Sequence, residues 1–368
     1  MEKINLVLAI RSLDVGGAER QFIELIKRID KSKFNVLVVT MYGGVWENEV
    51  EKLKEIKYIN LKKKGRYDLN FYFKYRKLLN DFNPDVIYSW LGEMNLFSYW
   101  AKPKEAKLIW GFRASNMNYS KYGKFSQFLF YLQKIFSKKV DKIIANSYSS
   151  INFHRKMGFF MDKAVVVYNG IDIEKFKRNN IARMNLRKKH NLSENDIAIG
   201  MVARIDYIKG YPILAKAAKK IFKEVENVRF FVIGDGDEKI KKECEKILGE
   251  YNNKKFVWLG KQKNIDNFYN LFDVYVSSSL SEGFSNSIAE AMSCEVPCVV
   301  TDVGDSKTIV GDCGEVIKPN GENLKKGIEN LLKKDLKKLG KCSRRRIVNN
   351  FSMEKMVKKT EKEICAVL

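Results

Sequence analysis

Short apolar runs, rich in Val and Ile, alternate along the chain with longer segments of helical period. Gly, Asn, Asp or Ser bounds most of these runs, and the following are predicted to be strands: INLVLAI, NVLVVTM, DVIYSW, KLIWGF, KIIANS, VVVYN, IAIGMVA, RFFVIG, KFVWLG, VYVSSS and PCVVTD. Continuous apolar runs are typical of strands buried on both faces, and alternation with helices favours parallel sheets. The sequence therefore predicts an α/β protein.

One polar, basic stretch interrupts this series, KRNNIARMNLRKKHNLSEND, and it suits an exposed connection. A chain of 368 residues also exceeds what one core usually serves. We therefore predict two Rossmann-like, doubly wound parallel-sheet domains, residues 1–180 and 181–350, and a C-terminal helix, 351–368, that packs back toward the N-terminal domain. Ligands of such folds bind beyond the carboxyl ends of the strands, so a cleft between the domains is the expected site.

The composition narrows the classes of function. Hydrophobic residues make up 45% of the chain, which excludes a disordered protein, and the net charge of +24 attracts phosphates of nucleic acids, nucleotides or lipid headgroups. No apolar run reaches the roughly 18 residues of a membrane helix and no signal-peptide pattern opens the chain, so we expect a cytoplasmic protein. The cysteines form no CxxC pairs and lie far from both histidines, which favours buried free thiols over a zinc site or disulfides.

The stretch SSSLSEGFSNSIAEAM, residues 277–292, combines a strand end, a loop and a helix start. The free amides of Ser285, Asn286 and Ser287 would meet the positive end of the helix dipole there and form a predicted anion site. The predicted donor-binding residues of this stretch are Gly283, Phe284, Ser285 and Asn286. Glu282 precedes this site and Glu290 lies about one turn into the helix. Carboxylates repel phosphate but accept hydrogen bonds from hydroxyl groups, so the ligand is predicted to carry hydroxyls, phosphate and hydroxyls in that order. A sugar nucleotide has this order.

Candidate ligand-binding residues also follow three other predicted strands. In GMVARIDYIKG, Arg204 and Lys209 could neutralise a diphosphate and stabilise it as a leaving group. Gly16 and Gly17 open a helix after the first strand, where they would let backbone approach a ligand or simply form a tight turn. Arg113 and Asn116 end the strand IWGF and are predicted to point into the cleft.

Two segments of the first half, KKKGRYDLNFYFKYRKLL and NYSKYGKFSQFLFYLQKIFSKK, interleave Lys and Arg with Tyr and Phe. Basic amphipathic helices of this kind suit the surface of an anionic bilayer. Core packing with solvated lysines is the alternative. Peripheral contact with the inner face of the plasma membrane is thus one expectation for this chain.

With these motifs in view, the chain resembles the retaining glycosyltransferases of the GT-B fold, in the large family 4 of bacterial sugar transferases. The motifs occur in the family's order nearly end to end, among them GGAER, NPDVIYS, VVVYNGIDIEKF, GMVARIDYIKG, VIGDGDE and the run from WLGKQKNID to TDVGD. Three departures are visible. Glu295 stands where the family often has glycine, and GDSKT at residues 304–308 stands where the family often has GGxxE. Arg113 replaces the usual histidine at the end of its strand.

The resemblance implies a role for each matched residue. Glu282 matches the acid that contacts the transferred sugar, Glu290 the acid that holds the ribose, and Arg204 with Lys209 the pair that grips the diphosphate. Gly16 and Gly17 fall on the loop that faces donor phosphate and acceptor, while backbone near Lys261 and Gln262 would contact the nucleobase.

The implied activity is metal-independent transfer of a hexose-type sugar, with retention, from a nucleotide-sugar that is most commonly a UDP-sugar in this family. The acceptor would be a saccharide or lipid-linked saccharide in surface polysaccharide assembly, with no cofactor and no specific nucleic acid as partner. Two rivals stay open: a nucleotide-sugar 2-epimerase of the same fold, and a non-catalytic polyanion or nucleic-acid binder favoured by charge alone.

Overall fold

The chain folds around two parallel sheets, and each sheet forms the centre of its own unit. The computed structural model describes residues 2–65, 68, 70–113, 115 and 123–368. Unit 1 comprises Met1–Gly170 and Met353–Leu368, and unit 2 comprises Ile171–Ser352. The α/β prediction with two Rossmann-like parallel-sheet domains is confirmed.

Unit 1 contains a seven-stranded sheet of order β3-β2-β1-β4-β5-β6-β7. Its strands are β1 (Ile4–Ile10), β2 (Phe34–Thr40), β3 (Lys57–Asn60), β4 (Val86–Trp90), β5 (Lys107–Phe112), β6 (Lys142–Ala145) and β7 (Ala164–Val166). Its helices are α1 (Gly17–Arg28), α2 (Glu47–Glu51), α3 (Asn70–Phe82), α4 (Gly92–Ala101), α5 (Lys124–Phe136), α6 (Tyr148–Lys156) and, from the far end of the chain, α15 (Met353–Cys365). The described strand pairs all run parallel.

Unit 2 contains a six-stranded sheet of order β10-β9-β8-β11-β12-β13. Its strands are β8 (Ile197–Val202), β9 (Val228–Ile233), β10 (Phe256–Gly260), β11 (Val274–Ser277), β12 (Cys298–Thr301) and β13 (Gly314–Ile317). Its helices are α7 (Asn180–Lys189), α8 (Tyr211–Glu224), α9 (Glu238–Leu248), α10 (Ile265–Tyr269), α11 (Asn286–Ser293), α12 (Ser306–Val310), α13 (Gly321–Leu332) and α14 (Leu336–Asn350).

Helices cover both faces of the unit 1 sheet, which explains why its strands are apolar throughout. On one face Phe71 of α3 and Leu129 of α5 join a buried cluster with Val7 and Ile87 of the sheet. On the other face α1 and α15 join a second cluster around Leu6, Leu8 and Tyr88. Because successive side chains of a strand point to opposite faces, each strand supplies both clusters.

The C-terminal helix α15 completes unit 1 although it follows unit 2 in the sequence. Met353, Met356, Val357 and Ile364 are buried in the cluster that also contains Phe22 of α1. No described helix in either unit is long and apolar enough to cross a membrane.

Two edge strands lie outside the predicted set. β3 and β13 are short and only partly buried, at the outer edges of their sheets. These two edge strands are partly exposed and contain polar residues, so they lack the continuous apolar run by which the predicted strands are recognised.

The prediction that all cysteines are free thiols is wrong for one pair. Cys313 and Cys342 form a disulfide with their Cα atoms 5.5 Å apart, whereas Cys244, Cys294, Cys298 and Cys365 are free. The two partners are 29 residues apart in sequence. They meet because α14 packs beside the turn before β13, where Ser343 Oγ also donates to the carbonyl of Cys313 at 3.2 Å. No local spacing pattern announces such a tertiary contact.

Candidate functional site

Most of the predicted donor-site residues of unit 2 lie at the carboxyl ends of β8 and β11. These strands are neighbours at the centre of the sheet, and the strand order runs outward from them in opposite directions. Such a switch point leaves a crevice beyond the strand ends, where ligands of open α/β sheets bind. Arg204 and Lys209 follow β8, and Glu282 follows β11.

Lys209 and Glu282 form an ion pair across this crevice. Lys209 Nζ lies 2.6 Å from Glu282 Oε1, and their side chains are 25% and 11% exposed. Ser279 Oγ donates to the same carboxylate oxygen at 2.6 Å. One oxygen of Glu282 is therefore held by a cation and a buried hydroxyl, which fixes the direction in which the carboxylate points.

The loops that carry this pair are bonded to each other. Leu280 N donates to the carbonyl of Ile208 at 2.7 Å, and Ser278 Oγ donates to the carbonyl of Lys209 at 2.9 Å. Gly210 has a φ of 64°, and a Cβ there would overlap the carbonyl oxygen of Ser278. Glycine is thus required where the Lys209 turn crosses the β11 loop.

The loop before α11 is held from the other side. Asp305 N donates to the carbonyl of Gly283 at 3.1 Å. Gly304 has a φ of 58°, and a Cβ there would overlap the carbonyl oxygen of Glu282. Residues 282 and 283 are therefore fixed in place before any ligand arrives.

Helix α11 begins at Asn286, with Ser285 at its N-cap and no acidic residue in its first turn. The Ser285 side chain makes no capping bond to the helix amides and instead lies 3.3 Å from the Ser287 hydroxyl. The unpaired amides of a helix N-terminus are suited to binding an anion. An anion site at the start of α11 is what the sequence predicts. Phe284 is buried and packs against the ring of Phe351.

Glu290 lies in a different environment from Glu282. It is 5% exposed, and its Oε2 accepts a 2.7 Å hydrogen bond from the hydroxyl of Tyr269. Tyr269 itself is fully buried. This burial, and to a lesser extent the nearby Glu290 carboxylate, raises the pKa of the Tyr269 hydroxyl well above its usual range. The phenol is therefore a permanent donor to this carboxylate.

Arg204 forms an ion pair with Asp206, which lies between Arg204 and Lys209 in the sequence. The Arg204 side chain is 74% exposed, and its guanidinium donates to Asp206 Oδ2 at 2.6 Å. Asp206 also caps the short turn that leads to Lys209. Lys261 and Gln262 follow β10, two strands away from β8. Gln262 Nε2 donates to the carbonyl of Leu259 at 2.5 Å, and Lys261 is exposed.

The unit 1 candidates lie at the ends of β1 and β5. Gly16 is the N-cap of α1 and Gly17 its first residue; the Glu19 carboxylate folds back over Gly16, and burial raises the pKa of Glu19. Arg113 follows β5 and is half-buried against Trp90. Asn116 lies outside the described residues.

Sequence reasoning missed two of the residues that hold the two acids, Ser279 and Tyr269. Ser279 had a weak signal, since it belongs to the serine run after β11. Tyr269 had none, because it lies 21 positions before Glu290 and contacts it only through the packing of α10 on α11.

Comparison with known proteins assigns the class. A model described as glycosyl transferases group 1 matches residues 182–350, and one described as glycosyltransferase family 4 matches residues 15–175. The chain belongs to these glycosyltransferases and has their GT-B fold.

Relatives are similar over varied spans. An uncharacterized glycosyltransferase of Methanocaldococcus jannaschii is 25% identical over 79% of this chain and 74% of its own. An Escherichia coli enzyme named UDP-Gal:alpha-D-GlcNAc-diphosphoundecaprenol alpha-1,3-galactosyltransferase is 31% identical, over 54% of this chain and 52% of its own. Among solved structures, HepE of Anabaena in complex with UDP aligns with a TM-score of 0.83 at 19% identity, covering 99% of this chain and all of HepE.

Proposed function

We propose that the chain is a retaining glycosyltransferase that moves a hexose-type sugar from a UDP-sugar to a saccharide or lipid-linked saccharide in surface polysaccharide synthesis. The observation that carries the proposal is the pair of carboxylates around the start of α11. Glu282, on the loop before the helix, is held by Lys209 and Ser279, while Glu290, within the helix, is held by Tyr269. They are suited to hydroxyls of the transferred sugar and of the ribose, with phosphate at the helix start.

The proposed mechanism of sugar transfer follows from the negative charge that develops on the leaving diphosphate. The bond between the anomeric carbon and the diphosphate oxygen breaks, and negative charge develops on the leaving phosphate. Lys209, Arg204 and the amides of α11 stabilise that charge. The acceptor oxygen bonds to the anomeric carbon on the same face while its proton passes to the departing phosphate. Lys209 exchanges Glu282 for phosphate when the donor binds.

The cations Lys209 and Arg204 would do the work of a metal at the diphosphate. No group of three His, Cys, Asp or Glu suited to a metal ion occurs in the described part of the chain. Because Lys209 and Arg204 would supply the positive charge at the diphosphate, we propose a metal-independent enzyme without a cofactor. Transfer that stops on addition of a chelator and returns with Mg²⁺ or Mn²⁺ would contradict this.

Relatives and structural neighbours support the choice of substrates. The Escherichia coli relative is named for UDP-galactose and a diphosphoundecaprenol acceptor, and HepE is solved with UDP and with UDP-glucose. We extend that donor class to this chain, with unit 2 as the donor-binding part and unit 1 as the acceptor-binding part.

The deciding experiment is a thermal-shift panel of UDP, GDP, ADP, TDP and UDP-sugars, followed by transfer assays. One diphosphate at a hundred times its Kd adds about 2.7 kcal/mol of stability, a clear shift. Glu290→Gln should lose that shift, and Glu282→Gln should keep UDP binding while transfer falls by about 10²- to 10³-fold. Full transfer by both variants would refute the assignment, and free epimer released without acceptor would favour the 2-epimerase.

Unit 1 also offers a surface for the membrane on which a lipid-linked acceptor would lie. Phe73 of α3 and Phe128 and Tyr131 of α5 are 64%, 54% and 56% exposed, and lysines flank them on both helices. Exposed aromatic rings among cations suit the headgroup region of an anionic bilayer. We propose that the protein is cytoplasmic and binds the inner face of the membrane peripherally through this surface.

Vesicle sedimentation tests this surface. Binding to phosphatidylglycerol vesicles should exceed binding to phosphatidylcholine vesicles, and Phe128→Ser with Tyr131→Ser should weaken it. The matched control is Ile181→Ser, a 70% exposed apolar residue of unit 2. Equal binding by both variants would contradict the proposal, and equally tight binding to generic DNA would favour the polyanion binder.

A further inference from the structure

Arg113 lies at the carboxyl end of β5 in a site built from aromatic and amide groups. Its Nη2 donates to the hydroxyl of Tyr88 at 2.8 Å, and its Nη1 donates to Asn169 Oδ1 at 3.3 Å. The guanidinium carbon lies 3.5 Å from the centre of the Trp90 ring, a stacked cation–π contact. Tyr88 and Trp90 are fully buried, so the orientation of the guanidinium is fixed.

Within unit 1, the described residues provide no carboxylate to balance the charge of Arg113. Within the described part of unit 1, no Asp or Glu forms an ion pair with Arg113, and its buried Nε finds no acceptor there. The residues that the structure leaves undescribed include neither Asp nor Glu. By contrast, Arg11, one residue beyond β1 at the same sheet edge, has Glu93 at 3.8 Å.

A desolvated cation without a counter-ion is costly. Burial lowers the pKa of Arg113, yet an arginine keeps its proton in proteins, so the positive charge persists. Tyr88 and Asn169 accept hydrogen bonds from the Arg113 guanidinium but supply no negative charge. The Arg113 side chain is still partly exposed to solvent. An arrangement of this kind is completed by an anion that arrives with a ligand.

We propose that Arg113 is an oxyanion-binding site for a phosphate or carboxylate group of the acceptor. This rests on the proposed function, in which unit 1 binds the acceptor, and it narrows the acceptor to one that carries negative charge. A guanidinium presents paired donors that match two oxygens of such a group. The group could come from the diphosphate of a lipid-linked saccharide or from the carboxylate of an acidic sugar.

The indole N–H of Trp90 provides a local reporter for this site. The chain has five tryptophans, so its ¹⁵N spectrum contains five indole signals, and Trp90→Phe identifies the one that belongs to Trp90. Inorganic pyrophosphate is titrated with saturating UDP present and, separately, absent. We expect a saturable shift of the Trp90 signal in the wild type.

Loss of the charge should abolish that response. Arg113→Met should weaken pyrophosphate binding by about ten- to a hundredfold, the usual worth of a hydrogen bond to a charged group. Arg113→Lys, which keeps the charge but not the planar fork, should bind with intermediate affinity and shows whether the protein still folds. Arg11→Gln is the matched control and should respond like the wild type.

The possible outcomes show whether a phosphate or a carboxylate binds at Arg113. They also distinguish a failure of this proposal from a failure of the proposed function. Once pyrophosphate shifts the Trp90 signal, geranyl diphosphate and methyl glucuronide show whether phosphate or carboxylate is preferred. An unshifted Trp90 signal, an equal shift in Arg113→Met, or a site that takes neither organic anion would overturn the proposal. Failure of UDP to bind the wild type would instead contradict the proposed function, while the Trp90 titration without UDP would still test Arg113.

Discussion

At the scale of single residues, the two acids of the site differ in what holds them. Glu282 accepts from Lys209, a partner that can move to phosphate, whereas Glu290 accepts from Tyr269, a buried phenol that cannot leave. The first carboxylate is thus free to change partner during a reaction, and the second is fixed. A fixed carboxylate suits recognition of the ribose, which stays on the nucleotide throughout.

We predict that Tyr269→Phe weakens recognition of the ribose hydroxyls without abolishing binding of the diphosphate. In the wild type, UDP should bind more tightly than 2′-deoxy-UDP, and the ratio of the two Kd values should move toward one in the variant. The expected loss is roughly 1 to 3 kcal/mol, since the carboxylate loses one buried donor. Isothermal titration of both nucleotides measures this ratio.

The control for this prediction is Tyr275→Phe. Tyr275 is also buried and its ring contacts Tyr269, but its hydroxyl donates to the carbonyl of Val202 at 3.2 Å. An unchanged ratio in Tyr269→Phe, or an equal fall in both variants, would show that Tyr269 only fills space.

The sequence predicts a residue of the candidate site only where the local pattern around that residue is informative by itself. Glu282 and Glu290 are recognisable because a strand end, a loop and a helix start follow one another directly. The contact of Tyr269 with Glu290 and that of Lys209 with Glu282 depend on which elements pack together. That information lies in tertiary contacts, so no local pattern reveals it.

At the scale of elements, the central strands and the edge strands β7 and β10 were predictable, whereas the edge strands β3 and β13 were not. A strand buried on both faces must be apolar along its whole length, which makes β1 and β8 visible in the sequence. β3 and β13 are neither apolar along their whole length nor fully buried, so the sequence does not reveal them. The contact between Cys313 and Cys342 arises only when α14 packs beside the turn before β13.

We predict that the Cys313–Cys342 disulfide stabilises unit 2. Closing a loop between residues 29 apart removes chain entropy from the unfolded state, worth roughly 3 to 4 kcal/mol in the chain-entropy model. Cys313→Ser should therefore lower the urea midpoint of unit 2, and a reductant should lower the wild type to the same value.

Cys365→Ser is the control, because Cys365 is a free cysteine of α15 in unit 1. It should leave the response of unit 2 to reductant unchanged. Alkylation of all six cysteines without prior reduction, read by mass spectrometry, would contradict the disulfide itself.

At the scale of the whole molecule, the division into two parallel-sheet units followed from the sequence because each half repeats the alternation of apolar strand and helix. The return of the chain to unit 1 is a distinct feature of the structure. α15 adds four buried apolar side chains to the core shared with α1, and its Glu361 accepts from the amide of Asp30 at 2.8 Å.

We predict that deletion of residues 353–368 destabilises unit 1 and spares unit 2. Each buried side chain is worth roughly 1.5 to 3 kcal/mol, so the loss is large against the stability of a typical domain. Hydrogen exchange should show lost protection in α1 and retained protection in α8.

The control is Glu354→Ala with Lys358→Ala, which removes an exposed ion pair of α15 and none of its buried contacts. It should exchange like the wild type. Retained protection of α1 after the deletion would show that α15 is dispensable for unit 1.

The position of α15 also sets an order during synthesis. The ribosome makes the seven strands of unit 1 first, yet α15, one of the helices that cover one face of their sheet, is translated only after all of unit 2. Unit 2 can therefore finish folding as a continuous segment while the core around α1 still waits for its last helix. The half of the enzyme that emerges first is the half that matures last.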